Sequence, residues 1–344
     1  MKMKKGLTLA SLLVLTTVLG ACGSKAADAP ASKAPEATKA PEASKTVEAT
    51  KAPDTKKLYI PVISKGFQHQ FWQAVKLGAE KAAKEFQVDI TFEGPESETQ
   101  VDKQLEMLQT ALGKSPAAIA FAALDSKAAT TYLEKAKAAN IPIVGFDSGV
   151  DSSIPVTTAA TDNRAAAALA ADKMAELIGG EGEIGMIVHD QTSRTGIDRG
   201  EGFANRIKEK YPKIKIVDTQ YSGDHLKATD LAKAIIQAHP NIKGFFGSNE
   251  GAAIGVLNAV TELKKDGKIK VIGYDSGKQQ QEAIRSGKMA GAITQDPIGI
   301  GYWAVKAAVQ AKKGESVPKN IDTGFHWYDK TNIDSPDIKV LLYN

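Results

Sequence analysis

From Leu58 onward the chain alternates short apolar runs with amphipathic stretches almost without a break, and this alternation limits the possible folds more than any other feature. "LYIPVI", "VDITF", "AAIAFAAL" and "IPIVGFD" have strand length and β-branched content. Helical spacing recurs between and after them over about 70 to 86, 98 to 112 and 126 to 139. A second series follows, "EIGMIVHD", "IKIVDTQ", "IKGFFGS", "IKVIGYD" and "GAITQ". Its helices are predicted at about 163 to 178, 197 to 210, 225 to 238, 250 to 265, 277 to 286 and 298 to 313. Alternation this regular predicts an α/β protein of parallel sheets with helices on both faces. Pro61 fits inside the first strand if its missing N–H falls outside the ladder.

The two series share a signature. "IPIVGFDSG" ends the fourth strand of the first, and "IKVIGYDSG" ends a strand of the second. Two similarly built lobes follow from this placement. Because open α/β sheets bind ligands beyond the carboxyl ends of their strands, lobes that face each other present Asp147 and Asp275 to one cleft.

Upstream of Leu58 the composition changes. Lys2, Lys4 and Lys5 precede an apolar run from Leu7 to Leu19, shorter than the roughly 20 residues that span a bilayer, and this reads as an export signal over residues 1–21. Leu19, Gly20, Ala21 and Cys22 match the lipobox of bacterial lipoproteins, which implies cleavage before Cys22 and a lipid upon it. Cys22 is the only cysteine, so no intrachain disulfide and no cysteine-based zinc site can form. Residues 22–57 are rich in Ala, Pro, Lys and Glu, with lysines recurring at 33, 39, 45, 51 and 57. So little apolar surface, broken by Pro30, Pro35, Pro41 and Pro53, predicts a flexible tether. The formal net charge of +4 includes the three lysines of the leader, which leaves no basis for nucleic-acid binding.

In the loop after the first strand, where a dinucleotide binder would carry glycines for close approach to a pyrophosphate, the chain holds Phe67, Gln68, His69, Gln70, Phe71 and Trp72. "FQHQFWQAVKLGAEKAA", "ANIPIVGFDSG", "ATDNRAAAALAADKMAE", "DRGEGF", "GSNEGAAIGVLNA", "VIGYDSG" and "AITQDP" follow in that order. In order and spacing the chain resembles the periplasmic sugar-binding proteins of ABC transporters, the ribose- and galactose-binding type, over essentially all of residues 58–344.

The resemblance implies a type I periplasmic binding protein fold: two Rossmann-like lobes with parallel sheets, joined by a three-crossover hinge. The N-terminal lobe would take residues 58–161 plus 296–322, and the C-terminal lobe 162–295 plus 323–344. It further implies an extracytoplasmic monomer, lipid-anchored at Cys22, that closes on one small sugar, an aldopentose or aldohexose, and delivers it to a permease without cofactor or chemistry. The ligand contacts expected with it are His69, Phe71, Trp72, Asp147, Ser148, Arg199, Asn249, Asp275 and Gln295. Ser148 stands where the ribose-binding pattern has arginine, and the aromatic expected near Gly223 and Asp224 is absent, so a roomier or differently polarised pocket is expected.

These residue types suit a sugar. An aromatic ring covers the apolar C–H face of a pyranose, while carboxylates accept from hydroxyls and guanidinium or amide groups donate to them. Phe71 or Trp72 alone could equally be helix core, although adjacent helical residues point about 100° apart, which argues against both being core. His69 reads as a ligand donor or a helix cap. Asp125 reads as a helix cap, and Arg199 either as a site residue or as an ion-pair partner of Asp198 or Glu201. His189, His225, His239 and His326 read as surface or packing residues, and no metal site is expected. Three other roles were weighed. A glycoside hydrolase would use Asp147 and Asp275, but Arg199 should hold both ionised, whereas a general acid needs a raised pKa. A sensor would report its ligand to a membrane receptor. A DNA-binding regulator of the lactose-repressor type would need a helix-turn-helix ahead of the first strand.

Overall fold

The computed structural model describes residues 57–343. The leader, Cys22 and the tether lie outside the described residues. Within them the alternation becomes two six-stranded sheets. The first contains β1 (Tyr59–Ile63), β2 (Asp89–Glu93), β3 (Ile119–Phe121), β4 (Ile143–Phe146), β5 (Thr157–Ala160) and a late strand, β11 (Asn320–Asp322), in the order β11-β5-β4-β3-β1-β2. The second contains β6 (Gly182–Val188), β7 (Ile214–Tyr221), β8 (Ile242–Gly247), β9 (Lys270–Tyr274), β10 (Gly291–Gln295) and β12 (Phe325–Asp329), in the order β12-β10-β9-β8-β6-β7.

Helices cover both faces of each sheet. In β1, Ile60 and Val62 pack toward α1 (Gln70–Phe86) and α9 (Pro297–Lys312). Ile63 joins the opposite core, with α2 (Val101–Gly113) and α3 (Thr130–Ala138). The second sheet is sandwiched in the same way. On one side lie α4 (Asn163–Ile178) and α5 (Arg194–Lys210); on the other lie α6 (His225–Ala238), α7 (Glu250–Glu262) and α8 (Lys278–Arg285). Strands buried on both faces explain the continuous apolar runs. Although α9 follows a strand of the second sheet, it packs on α1, β4 and β5, so the chain passes between the two lobes after β5, after β10 and between β11 and β12. Gly78 and Gly301 let α1 and α9 meet backbone to backbone; a Cβ at either would overlap the other helix's main chain.

Several expectations need correction. β12 runs antiparallel to β10, so the second sheet is not purely parallel. The strands β5, β11 and β12 escaped the sequence reading, because "TTAA" and "NID" are short and partly polar and "FHWYD" alternates without an apolar run. The helix α3 starts at Thr130 rather than near 126. Asp125 Oδ1 accepts from the N–H groups of Lys127 and Ala128 at 2.8 and 2.9 Å and holds a turn there first. The β1–β3 register starts at Val62, one residue beyond Pro61, which spares the ladder the missing donor.

Candidate functional site

Both copies of the signature end a strand with an aspartate in the left-handed region, φ 54° at Asp147 and 78° at Asp275. Non-glycine residues rarely hold this conformation, and aspartate is among those that tolerate it best. Each is fixed by its own N–H, donated to the neighbouring strand: Asp147 to Ala159 O at 2.9 Å and Asp275 to Ile293 O at 2.7 Å. The bend turns both carboxyl groups into one small cavity of about 20 Å3 between the lobes.

The first lobe lines the cavity with Lys65, His69, Phe71, Trp72, Glu98 and Asp147; the second contributes His189, Thr195, Arg199, Asn249, Asp275 and Gln295. Eight of the nine expected contacts thus meet in one place. Ser148 is not among the lining residues: it is fully buried, and its Oγ has no hydrogen-bond partner among the described residues. Phe71 and Trp72 belong to the core of the first lobe and also line the cavity, so core and site were not exclusive readings. Their rings meet edge to face at 5.1 Å, and Trp72 packs against Phe146 at 6.4 Å.

His69 occupies the N-cap position of α1 without a side-chain cap bond. The Gln68 amide, oriented by accepting from the Glu98 N–H at 3.0 Å, donates to His69 Nε2 at 3.0 Å and leaves Nδ1 as the protonated nitrogen. Arg199 is not the partner of Asp198 or Glu201, which pair with Arg164 at 2.8 and 2.6 Å. It lies 3.7 Å from the Tyr274 ring and donates Nε to Asn163 Oδ1 at 2.7 Å and Nη1 to Ser248 O at 2.9 Å. Its remaining nitrogen is available to the cavity. Asn249 caps α7 by accepting from the Ala252 N–H at 2.8 Å, which leaves its amide N–H2 as a donor.

Electrostatics separate the carboxylates. Asp275 accepts from Gln295 Nε2 at 2.7 Å and from the Glu250 N–H at 3.0 Å. Among the hydrogen bonds of the described residues none goes to the Asp147 carboxylate, and burial pushes its pKa up to about 6 against the opposing pull of Lys65 and Arg199. Lys65 and Arg199 therefore do not hold Asp147 at the ordinary carboxylate value, because desolvation outweighs the two cations, although above about pH 6 it is still ionised. Burial, the largest single effect, would raise Glu98 as well, but Lys65, His69, His189 and the Trp72 N–H together outweigh it and hold the carboxyl at about 2.

Lys65, Glu98, His189 and Thr195 were not expected in the site. His189, read as a surface or packing residue, is buried in the cleft; its Nδ1 faces Ser248 Oγ at 2.8 Å, and burial pushes its pKa down to about 3, which keeps it neutral. A signal for it and for Lys65 was present: each stands just past a strand's carboxyl end, as Asp147 and Asp275 do.

Comparisons with known proteins bear on the family and the fold. Residues 60–316 match the family model described as a periplasmic binding protein domain. The D-allose-binding periplasmic protein of Escherichia coli (strain K12) is 30% identical, over 75% of this chain and 86% of its own length. Among solved structures, a carbohydrate transporter solute binding protein from Agrobacterium radiobacter in complex with D-arabinose superposes with a TM-score of 0.80 at 34% identity, over 84% of this chain and 99% of that one. An ABC transporter solute binding protein from Agrobacterium vitis with bound D-fucose gives a TM-score of 0.80 at 33% identity, over 83% of this chain and 100% of that one.

Proposed function

The chain belongs to the periplasmic binding protein domain family, and from that membership we propose that it captures one neutral, single-ring sugar between its lobes and delivers it to an ABC transporter permease from the outer side of a membrane, held there by a lipid on Cys22. The observation that carries this reading is the wall of the cavity: the buried, unpartnered Asp147 carboxylate faces the same space as Phe71, Trp72 and the spare donors of Arg199 and Asn249. A sugar ring needs just such a mixture, a flat apolar surface with acceptors and donors around its rim. The ligand-bearing residues are His69, Phe71, Trp72, Asp147, Arg199, Asn249, Asp275 and Gln295, and Ser148 is left out. The lobes are residues 58–161 with 296–322 and residues 162–295 with 323–344. The relatives bound to D-arabinose and D-fucose support an aldopentose or aldohexose as ligand.

The test is thermal-shift screening against aldopentoses, aldohexoses, polyols and purine nucleosides. A ligand at a hundred times its dissociation constant stabilises by about 2.7 kcal/mol, so a binder stands out. A flat response to every sugar, with a shift for a nucleoside, would replace the ligand class. The anchor is tested separately: Cys22→Ser should release the protein from the membrane fraction. One observation favours a second reading. A carboxyl pushed up to about 6, such as Asp147, suits a general acid of a glycoside hydrolase. Release of nitrophenol from nitrophenyl glycosides would support it, and none is expected.

A further inference from the structure

The cleft holds a buried amine whose partners divide between the lobes. Lys65 follows β1, is 2% exposed, and donates from Nζ to Ser193 Oγ at 3.3 Å and Thr195 Oγ1 at 3.2 Å, both in the second lobe. Its two closest carboxylates also come one from each lobe, Glu98 and Asp190, each at 3.6 Å. A desolvated ammonium is costly unless its N–H groups and its charge are matched. Here the match is complete only with the lobes together, since Asp190, Ser193 and Thr195 lie across the cleft.

The contacts continue from the amine to the aromatic wall. Glu98 turns Oε2 toward Lys65 and accepts on Oε1 from Trp72 Nε1 at 2.8 Å. An indole has one polar atom, so this bond fixes the rotation of the ring. If Lys65 withdrew, Glu98 would be a buried anion without a counter-charge, free to turn toward water and release the indole N–H. The position of the ring therefore follows the position of the amine, and the amine is held from the far lobe.

Resting on the sugar-capture reading above, we propose that Lys65 is a positioning residue that acts through Glu98 on Trp72, so that the aromatic platform takes its ligand-bearing orientation only once the second lobe has closed. A ligand resting on the first lobe alone meets a ring that is packed on Phe71 and Phe146 but whose Nε1 bond to Glu98 is less firmly set. Closure brings Asp190, Ser193 and Thr195 to the amine and locks the stack. Lys65 thus governs how slowly the ligand leaves more than how fast it arrives.

The test isolates one indole. The chain has three tryptophans, and Trp303→Phe with Trp327→Phe leaves Trp72 as the only emitter. In this parent, D-arabinose, D-fucose, D-allose and D-ribose are added in turn, and emission and dissociation are followed by stopped flow. Lys65→Met alone strands Glu98 and risks unfolding, so the deciding variant is Lys65→Met/Glu98→Gln, which removes both charges and keeps an acceptor for the indole. It should melt near the parent, release sugar at least tenfold faster and lose more than half of the Trp72 emission change. Asp190→Asn, across the cleft and outside the cavity lining, should lose part of that change as well. Parent-like dissociation and emission in the double variant would overturn the proposal, and an undiminished emission change in Asp190→Asn would overturn its cross-lobe half. A ligand-free arm separates this from the sugar reading. The backbones of Ser126 and Thr192 meet across the cleft, N to O, at 2.9 Å, so a Ser126→Cys/Thr192→Cys disulfide holds the lobes shut without any sugar. Oxidation should shift Trp72 emission when Lys65 and Glu98 are present and leave it unmoved in the double variant; equal shifts would sink the proposal whatever the ligand is. If none of the four sugars acts on the parent while the disulfide does, it is the sugar reading that falls.

Discussion

The turns at Asp147 and Asp275 carry the same Asp-Ser-Gly sequence and the same left-handed aspartate, yet they are different chemical objects. Asp275 has both oxygens engaged, by Gln295 Nε2 and the Glu250 N–H, whereas no hydrogen bond of the described residues reaches the Asp147 carboxylate. Their serines differ too. Ser276 donates to Leu341 O at 3.3 Å and accepts from Thr294 Oγ1 at 2.8 Å, while Ser148 Oγ is buried without a partner. The signature therefore encodes a backbone bend that aims a carboxylate; what the carboxylate does is decided by the residues packed around it. One aspartate is tied into the scaffold, and the other keeps its carboxylate free of hydrogen bonds among the described residues.

The largest expected effect tests this division. Asp147→Ala and Asp275→Ala should each weaken sugar binding about ten- to a hundredfold, the worth of a hydrogen bond to a charged group. Both substitutions place alanine at a positive φ, so that backbone cost is common to the pair and cancels between them. Beyond it, Asp275→Ala strands two buried donors and should cost about 1 to 3 kcal/mol of stability. Asp147→Ala removes a carboxyl that burial has pushed up to about 6, so above that pH it relieves a penalty and should melt higher than its counterpart. Calorimetry with thermal melts on both variants decides; equal melting temperatures would mean that the two turns are energetically alike.

A smaller effect comes from the neighbour that only the second turn has. Glu250 is buried beside Asp275, with the N–H groups of Gln70 and Phe71, from the first lobe, facing its carboxyl, and burial followed by the charge of Asp275 pushes its pKa up to about 8. Opening the lobes should return it toward the ordinary 4.5. A raised acid favours the closed form only while protonated: that stability is fully present below 4.5 and is lost as pH rises toward 8. His189, ordinarily near 6.5 and pushed down to about 3, acts oppositely at lower pH, and Asp147, half-titrated near 6, adds only a small further loss in the same direction as Glu250. Between pH 6.5 and 8 sugar affinity should therefore fall, by about fivefold or more, and Glu250→Gln should flatten the profile. Titration calorimetry across that window checks it, and a flat wild-type curve would remove Glu250 from the closing contacts.

The same contrast explains how much of the molecule was legible. Periodicity revealed the long elements, because strands covered on both faces are apolar throughout, and the repeated signature placed Asp147 and Asp275 on one cleft. The short strands β5 and β11 gave no such run, since their residues are held by pairing with neighbours rather than by a pattern of their own. Lys65 and Glu98 were missed for a related reason. A buried Lys–Glu pair makes sense only when the partners that neutralise it are known, and Ser193, Thr195 and Asp190 are far away in sequence. Ser148 does not line the cavity although its neighbour Asp147 does, and adjacency in sequence carries no signal for that difference.

The smallest effect separates the two serines, and it follows from the cost of unmade hydrogen bonds. Ser148 Oγ is fully buried and unpartnered, so Ser148→Ala deletes a polar group that the folded protein already fails to satisfy. Leaving a hydroxyl desolvated and unpaired costs about 1 to 3 kcal/mol, and removing it should leave stability unchanged or slightly raised. Ser276→Ala removes a hydroxyl bonded to Leu341 O and Thr294 Oγ1, near the C-terminal segment whose Tyr343 hydroxyl accepts from the Ser276 N–H at 3.1 Å. That variant should lose about 1 kcal/mol, the ordinary net worth of such a bond. Because Ser148 does not line the cavity, sugar affinity should be the same in Ser148→Ala as in the wild type. Urea denaturation of the two variants, with calorimetry on Ser148→Ala, measures all three quantities. A loss of affinity in Ser148→Ala would return that hydroxyl to the ligand and require the first turn to rearrange when the sugar binds.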